Sequence, residues 1–480
     1  MSRESSVKVL AISAALLAPC FWHRALVAGD LESHLYNAWL VQLVKSGQAP
    51  GLWISEQRTN VLFDWMLEGF ASFLPIHLAG RAAVYITVLT FFWGAFSFVS
   101  VARGRPAWVI APLLAMVAFG WTFQIGFFNY YLSLGLAFFG ISVFWMQRDW
   151  RRIVPVILSP IIAIAHPFGF AWFFGAVATI VIAEVWPRRP YSSTTAALGI
   201  LGLAGAYLRH HYQVEPASHS AVFWNGLDQI LLARLYMVPV AGLAGLALFA
   251  VISIGRDPKG DGAEAGFRAK RLVLLQLYIL VEACILLLPD SIYTHQISAP
   301  LRAITPRTTS ISAVLLCGLL ACATQWRWYF PALLGTSAIF FALLYHDTGT
   351  LSSIEQEIQQ LVQTVPPGRR VLFTIHQPRN YRFSDAHIVD EACIGHCFSY
   401  GNYEAATNAF RIRALDGNRI VMSRLEQIAA MESGEYTVQP EDLPAELVYQ
   451  CGPSWTDFCI RSLHAGEKSG SSDFRSKLDK

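Results

Sequence analysis

Charged residues are scarce in this chain, and the motifs of soluble nucleotide-binding enzymes are missing. Only 14% of the 480 residues are charged and 54% are hydrophobic, whereas about a quarter of a soluble globular protein is charged. There is no phosphate-binding loop, no dinucleotide fingerprint and no basic tract with interleaved aromatic residues. These absences argue against a soluble nucleotide-dependent enzyme and against a nucleic-acid partner. The mean hydropathy of +0.41 indicates a membrane protein.

Apolar runs recur along the first three quarters of the chain. Most approach the roughly 20 residues that a helix needs to cross a hydrocarbon core of about 30 Å. We therefore predict an all-α polytopic membrane protein with about 11 transmembrane helices and a small C-terminal α/β domain. The predicted spans cover residues 7–28, 82–101, 107–122, 126–146, 153–166, 168–186, 194–209, 231–254, 271–289, 309–325 and 328–345.

Lysine and arginine are denser in alternate connecting loops. By the positive-inside rule the dense loops face the cytoplasm, which places the N-terminus inside and the C-terminal part outside. The first run has the basic start of a signal peptide, but no clean small-residue cleavage site follows it, so we predict a retained anchor helix. The predicted location is therefore a bacterial inner (plasma) membrane.

One further run, residues 61–79, is apolar enough to span but includes Asp64, Glu68 and His77. A crossing here would put every later arginine-rich loop on the outer side, so we predict an interfacial or re-entrant helix. The predicted organisation is a transmembrane region at 1–346, with an outer-face first loop at 29–80. An extracytoplasmic α/β domain with probable disulfides follows at 347–465, and a disordered tail at 466–480.

Four of the eight cysteines lie in the predicted extracytoplasmic domain: Cys393, Cys397, Cys451 and Cys459. Four cysteines in an exported domain predict two disulfides, with three possible pairings. The alternative is a zinc site built from Cys393, His396 and Cys397, although that spacing fits no common zinc pattern.

Ionisable residues cluster directly after the first apolar run, at Asp30, Glu32 and His34. Such groups are costly at a bilayer boundary unless they are used or solvated. One reading is purely structural, since Asp30 can cap a helix at residues 31–45 and Glu32 favours its positive end. The other reading is a surface site, because Asp30, His34 and Asn37 share one helix face. An aspartate there could accept a proton from an attacking hydroxyl.

Other polar residues are predicted to reach the same outer face. Arginine matches a phosphate geometrically and stays charged, so either Arg302 or Arg307 could hold a lipid-linked phosphate, or could simply reach lipid head groups. Asp64, Asn129 and His166 fall on or near this face as further candidates for substrate binding.

The first loop resembles that of the C-type glycosyltransferases (GT-C fold), integral-membrane enzymes that take sugars from polyprenyl-phosphate donors. That family carries an acidic Asp-x-Glu or Asp-x-Asp motif in its first external loop, and Asp30-Leu31-Glu32 matches it in position and pattern. The residues that follow, to Trp39, with Gly47 and Pro50, also resemble that loop. The arrangement of the whole membrane region agrees, whereas the C-terminal part resembles no family that we recognise.

The resemblance implies inverting transfer of a hexosyl or pentosyl group to an envelope glycan, lipid or protein acceptor on the outer face. Asp30 would deprotonate the acceptor hydroxyl, while Glu32 would orient the acceptor or, with Asp30, hold a divalent cation (Mg²⁺ or Mn²⁺) if one is used. Arg302 or Arg307 would stabilise the leaving polyprenyl phosphate, and the C-terminal domain would help choose the acceptor. Implied partners are the polyprenyl-phosphate sugar donor, the glycan or lipid acceptor and membrane lipids.

Two other functions stay open from the sequence. A non-catalytic scaffold for envelope assembly would use the same fold without turnover. A lipid or polysaccharide transporter also needs many spans, but the sequence has no internal repeat and no paired interrupted helices.

Overall fold

A computed structural model describes residues 3–146, 153–185, 190–217, 219–254, 263–293, 301–322, 327–375, 382–383, 387–407, 409–452, 454 and 456–470. Helices dominate the chain up to residue 362, and a small sheet follows. The helices are α1 (Arg3–Leu17), α2 (Leu31–Lys45), α3 (Leu62–Ala71), α4 (Ile76–Arg103), α5 (Ala111–Ala118), α6 (Trp121–Gln124), α7 (Phe128–Trp145), α8 (Ile153–Ala165), α9 (Pro167–Val185), α10 (Pro190–His211), α11 (His219–Trp224), α12 (Met237–Ile254), α13 (Ala263–Leu287), α14 (Ile304–Cys322), α15 (Tyr329–Val362), α16 (Ile388–Cys393), α17 (Tyr403–Thr407) and α18 (Leu425–Glu432).

The strands are short and form three separate sheets. They are β1 (Leu52–Ile54), β2 (Gln213–Glu215), β3 (Ser291–Tyr293), β4 (Arg370–Thr374), β5 (Phe398–Ser399), β6 (Ile412–Ala414), β7 (Ala445–Gln450) and β8 (Phe458–Ser462). The largest sheet has the order β5-β4-β7-β8, with β4 parallel to both neighbours and β7 antiparallel to β8. The disulfide Cys451–Cys459 links the segment after β7 to β8.

In the described part of the chain, five helices are long and apolar enough to cross a membrane: α4, α7, α9, α14 and α15. The spans of α7 and α14 are 83% and 72% buried, whereas those of α9 and α15 are 22% and 33% buried. The first pair therefore forms the centre of the helical region and the second pair its periphery. Every predicted run overlaps a helix, but the number of 11 spans stays a prediction.

Two segments near the N-terminus differ from the sequence-based expectation. The first helix ends at Leu17 and not near Ala28, because Pro19 disfavours the helical conformation of the residue before it and cannot supply a backbone donor. Residues 61–79 do not form one helix: α3 has 10 residues, and a turn separates it from α4. A helix of that length extends only about 15 Å, which is too short to span.

The border expected at residues 346–347 lies inside one continuous helix. Helix α15 has 34 residues and so extends about 51 Å, carrying the chain from the apolar region into the C-terminal part. Its last turns bury Ile354, Ile358 and Val362. Order also continues past residue 465, since Ser469 donates its backbone N–H to Tyr436 O and is fully buried. The remainder of the predicted tail, 471–480, lies outside the described residues.

The first loop and the C-terminal part are joined directly. Strand β1 pairs antiparallel with β6, with Leu52 opposite Ala414 and Ile54 opposite Ile412. Helix α2 packs between the rest of the first loop and the C-terminal part. It is largely buried and is not a lipid-facing surface helix. The Tyr36 hydroxyl, for example, accepts the backbone N–H of Ser399 at 2.9 Å. The C-terminal part therefore covers the helix that carries the predicted acidic motif.

Candidate functional site

Asp30 stands at the N-cap position of α2 but does not cap it. Its backbone is helical (φ −72°, ψ −3°), whereas a capping residue normally adopts an extended conformation so that its side chain can fold back over the first turn. The carboxylate makes no capping hydrogen bond and is 24% exposed. The structural reading of this residue therefore fails, and the carboxylate is available for other chemistry.

Two loops hold the backbone of Asp30 in place. Its N–H donates to Ile125 O at 3.0 Å, and Gly29 and Gly126 both have positive φ, of +52° and +82°. A Cβ atom on Gly126 would lie 2.3 Å from Asp30 N, and one on Gly29 would lie 2.4 Å from Ile125 O. Only glycine permits this approach, so the carboxylate starts from a fixed backbone.

A histidine from the C-terminal part faces Asp30. His387 Nε2 lies 3.6 Å from Asp30 Oδ1, and Nδ1 lies 3.2 Å from Asp390 Oδ2 without the alignment of a hydrogen bond. Asp390 is fully buried and accepts a hydrogen bond from Ser399 Oγ. Burial alone would lower the pKa of His387, but Asp390 and Asp30 outweigh it and raise the pKa to about 9. His387 is therefore an imidazolium at neutral pH.

A second charged group lies on the neighbouring side of α2. His34 Nδ1 lies 2.7 Å from Asp64 Oδ1, and Asn129 Nδ2 donates to Asp64 Oδ2 at 2.8 Å. Burial acts to lower the pKa of His34, yet Asp64 raises it overall to about 9. Both carboxylate oxygens of Asp64 are thus hydrogen-bonded. Among the described residues, the Asp30 carboxylate makes only the longer contact to His387. Asp30 is the more available base.

Polar residues continue from here along α2. Ser33 Oγ donates to Glu404 Oε1 at 3.2 Å, and Asn37 exchanges side-chain hydrogen bonds with Asn402. Burial raises the pKa of Glu404 to about 7. His34, Asn37, Asp64, Asn129 and Glu404 line one cavity, to whose wall Glu68 and Arg411 also contribute. Four predicted site residues therefore share this cavity.

The two candidate arginines separate clearly. Arg307, at the start of α14, stacks on Phe127 with its Cζ 4.2 Å from the ring centroid, and it interacts electrostatically with Asp30. Its buried Nε has no hydrogen-bond partner. Arg302 is exposed, and its Cζ is 6.0 Å from the ring of Tyr293. Of these two arginines, only Arg307 shows an electrostatic interaction with Asp30.

His166 lies near Arg307 but is partly engaged by its own turn. Its Nδ1 accepts the backbone N–H of Phe168 at 3.1 Å, and its ring packs against Tyr130 at 5.4 Å between centroids. Tyr130 in turn donates to Arg307 O at 2.7 Å. The predicted binding residue His166 therefore supports the wall that carries Arg307.

Glu32 does not join Asp30. Side chains two residues apart on a helix diverge by about 200°, and Glu32 Oε1 accepts the backbone N–H of Ala28 at 3.2 Å on the other side of α2. A carboxylate oxygen of Glu32 lies within 4.8 Å of oxygens of Glu355 and Glu391. The predicted pairing of Asp30 with Glu32, for catalysis or for a shared cation, therefore finds no support in the geometry.

The four cysteines of the C-terminal part form one disulfide-bonded pair and one unbonded pair. Cys451 and Cys459 form a disulfide, and the Sγ atoms of Cys393 and Cys397 lie 2.7 Å apart as buried thiols. His396 Nε2 donates a hydrogen bond to Val365 O at 2.7 Å. The ring nitrogen facing Val365 is thereby engaged, which disfavours the alternative zinc site.

The sequence did not reveal His387, Asp390, Glu404 or Tyr403 as site residues; the Tyr403 ring lies 5.0 Å from that of His387, between centroids. All four come from the C-terminal part, more than 300 residues away from α2 along the chain. One local signal was available: Asp390 interrupts an apolar stretch around Ile388 and Val389. Acids within such a stretch are costly unless they are paired.

Taken together, the site presents one available carboxylate, one guanidinium facing it and two imidazolium groups nearby. Asp30 can accept a proton, and Arg307 can hold an oxyanion a short distance away. His34 and His387 each place a positive charge beside an acidic residue in this partly buried place. Such a site is suited to displacing a phosphate by a hydroxyl group.

The comparisons with known proteins agree with this picture at the level of the fold. No protein-family model matches the chain, and no curated protein sequence is significantly similar to it. One solved structure shares this fold over nearly its whole length, and the described part of this chain has five helices that are long and apolar enough to cross a membrane. The matching structure is ArnT from Cupriavidus metallidurans bound to undecaprenyl phosphate, with a TM-score of 0.54, 11% identity, and coverage of 96% of this chain and 98% of that one.

Proposed function

We propose that this protein is a membrane glycosyltransferase that moves a sugar from a polyprenyl-phosphate donor to a hydroxyl group of an envelope glycan, lipid or protein. The observation that carries the proposal is the uncapped carboxylate of Asp30, held by Ile125 and Gly126 and facing Arg307. The fold shared with ArnT supports it, because that structure contains undecaprenyl phosphate.

The proposed reaction is an inverting displacement. Asp30 takes the proton of the acceptor hydroxyl as its oxygen attacks the anomeric carbon of the donor. The bond from that carbon to the phosphate oxygen breaks on the opposite face, and polyprenyl phosphate leaves with the electron pair. Arg307 stabilises the negative charge that develops on the leaving phosphate.

The imidazolium groups have supporting roles. His387 lies 3.6 Å from Asp30 and His34 lies 2.7 Å from Asp64, so each places a positive charge beside a carboxylate. The cluster can then remain ionised without mutual repulsion of its acids. No step is routed through a cation, because Glu32, its second predicted ligand, lies on the other side of α2.

The proposal also includes the membrane arrangement. We propose about 11 spans in a bacterial inner membrane, with the N-terminus in the cytoplasm and the site on the outer face. The alternating density of lysine and arginine supports this orientation. The donor would enter with its lipid tail among the helices and its phosphate at Arg307, whose guanidinium interacts electrostatically with Asp30.

Replacement of Asp30 tests the proposal. In membranes containing the full chain, Asp30→Asn should lower sugar transfer from polyprenyl-phosphate donors by about 100-fold to 10,000-fold, the usual contribution of a general base. Glu56→Gln is the matched control, because Glu56 is a first-loop carboxylate that is 93% exposed. Undecaprenyl phosphate binding should persist in both variants.

The same experiment separates the competing functions. Transfer that is unaffected by Asp30→Asn, at normal membrane insertion, would refute the enzymatic role of this carboxylate, whereas no transfer by the inserted wild type would favour a scaffold or a transporter. Equal loss in Asp30→Asn and Glu56→Gln would indicate a general defect of the first loop, and would likewise contradict the assignment.

A further inference from the structure

Three carboxylates meet on the side of α2 that faces away from Asp30. They are Glu32 in α2, Glu355 in α15 and Glu391 in α16, and one oxygen from each lies within 4.8 Å of the others. Glu32 is 1% exposed and Glu355 is 8% exposed. Oε2 of Glu32 and Oε2 of Glu355 are both buried and have no hydrogen-bond partner. Buried anionic oxygens without partners require a ligand or a counter-charge.

The protein itself supplies only part of that counter-charge. Arg81 interacts electrostatically with Glu355 and Glu391, but its Nη2 also donates to the backbone oxygens of His23 and Arg24. Burial raises the pKa of Glu32 and of Glu391, so their ionised forms need more counter-charge than Arg81 alone supplies. In that form the three carboxylates outnumber the single guanidinium by two charges. One divalent cation would neutralise the group.

We propose that Glu32, Glu355 and Glu391 bind a hard divalent cation, with Ca²⁺ favoured over Mg²⁺. An all-oxygen donor set selects such ions over those that prefer thiolate or imidazole. Ca²⁺ accepts several carboxylates in a flexible coordination shell, whereas Mg²⁺ demands near-ideal octahedral geometry and is usually held by only one or two carboxylates. Three carboxylates whose oxygens lie within 4.8 Å of one another therefore suit Ca²⁺ better.

Access for the ion and for its water ligands is available. A cavity of about 580 Å³ borders Glu355 and Glu391 and is lined also by Arg24, Ile76 and Arg81. Ca²⁺ takes about six to eight oxygen ligands, so waters in this cavity would complete the coordination that three carboxylates begin.

The position of the site gives the cation a structural role. Glu32 lies two residues after Asp30, and Glu391 lies four residues after His387. A cation held by both would tie the first turn of α2 to α16 and to the outer end of α15. It would thereby keep Asp30 and His387 facing each other, without touching the reacting atoms. This inference goes beyond the proposed transfer reaction and does not depend on it.

Thermal unfolding of the full chain, purified in detergent and stripped with chelators, tests the site without reference to turnover. Addition of 1 mM Ca²⁺ should raise the unfolding temperature by about 3 °C, with Mg²⁺ less effective and an equal ionic strength of NaCl without effect. Elemental analysis should find about one Ca²⁺ per chain. Glu355→Gln should lose both the shift and the bound ion.

The matched control is Glu357→Gln, since Glu357 is an exposed carboxylate on the same helix, and this variant should respond as the wild type does. If Glu355→Gln does not fold, Glu391→Gln replaces it, because Glu391 is only partly buried. No shift in the wild type would overturn the proposal. An equal shift in Glu355→Gln or Glu391→Gln would also overturn it. The same holds if either variant is more stable than the wild type and has no bound metal, because protons or Arg81 would then neutralise the cluster.

Discussion

The loop contact that holds Asp30 makes Gly126→Ala the most informative single substitution. A Cβ atom at residue 126 would lie 2.3 Å from Asp30 N, while an ordinary contact begins at 3.4 Å. One of the two backbones must therefore move by about 1 Å. A misplacement of about 1 Å at a reacting group can lower a rate by roughly 100-fold. We expect the turnover number of Gly126→Ala to fall by about that factor.

The same substitution also strains the backbone, and the control must separate the two effects. Gly126 has a φ of +82°, and alanine in the left-handed region costs about 1–2 kcal/mol. Gly47 has a φ of +75° but would place its Cβ in open space. Gly47→Ala should therefore lose similar stability while its turnover stays near that of the wild type.

The assay is sugar transfer in proteoliposomes, normalised to the amount of inserted protein, with unfolding temperature measured on the same samples. The reasoning requires that the two alanine variants differ in turnover. Backbone strain is common to both, whereas the steric overlap with Asp30 N occurs only in Gly126→Ala. Equal turnover in Gly126→Ala and Gly47→Ala would show that the position of Asp30 does not limit the reaction, and the assignment of this residue as the base would be lost.

Three further outcomes are expected. Arg307→Gln should weaken binding of undecaprenyl phosphate by about 10-fold to 100-fold, whereas Arg302→Gln should leave it within about twofold, as measured by titration of purified variants. The pKa of His34 is raised from 6.5 to about 9. The protonated side chain therefore contributes stability that is complete below pH 6.5 and is lost as the pH rises through 9. The wild type should therefore lose up to about 3 kcal/mol over this range that His34→Gln does not lose, as measured by denaturant unfolding. Cys393 and Cys397, with Sγ atoms 2.7 Å apart, should be joined in exported protein, and peptide mass spectrometry that found both as free thiols would contradict this.

Local features of the chain were predictable where the signal lies in neighbouring residues. Helix α2 has the bounds expected from its periodicity, residues 31–45, and the fold class implied by Asp30-Leu31-Glu32 agrees with the likeness to ArnT. A helix of this length is specified by its own side chains and by the residue before it. Neither prediction required knowledge of distant contacts.

Predictions failed where composition was used in place of backbone conformation. The change from apolar to polar residues at His346 marks a change of surroundings, yet the residues that follow, such as Leu351 and Glu355, are good helix formers. Helix α15 therefore continues to Val362. Conversely, the apolar character of residues 18–28 continues past Leu17, although Pro19 ends the helix there.

The partners of Asp30 could not be predicted because a one-dimensional pattern does not say which elements meet. The first loop supplies Asp30, His34 and Asp64, which together carry more negative than positive charge. The C-terminal part supplies His387, whose Nε2 lies 3.6 Å from Asp30 Oδ1, and Glu404, which accepts a hydrogen bond from Ser33. Since each part is completed by groups from the other, the C-terminal part belongs to the candidate centre itself, and is not only the selector of the acceptor that the sequence suggested.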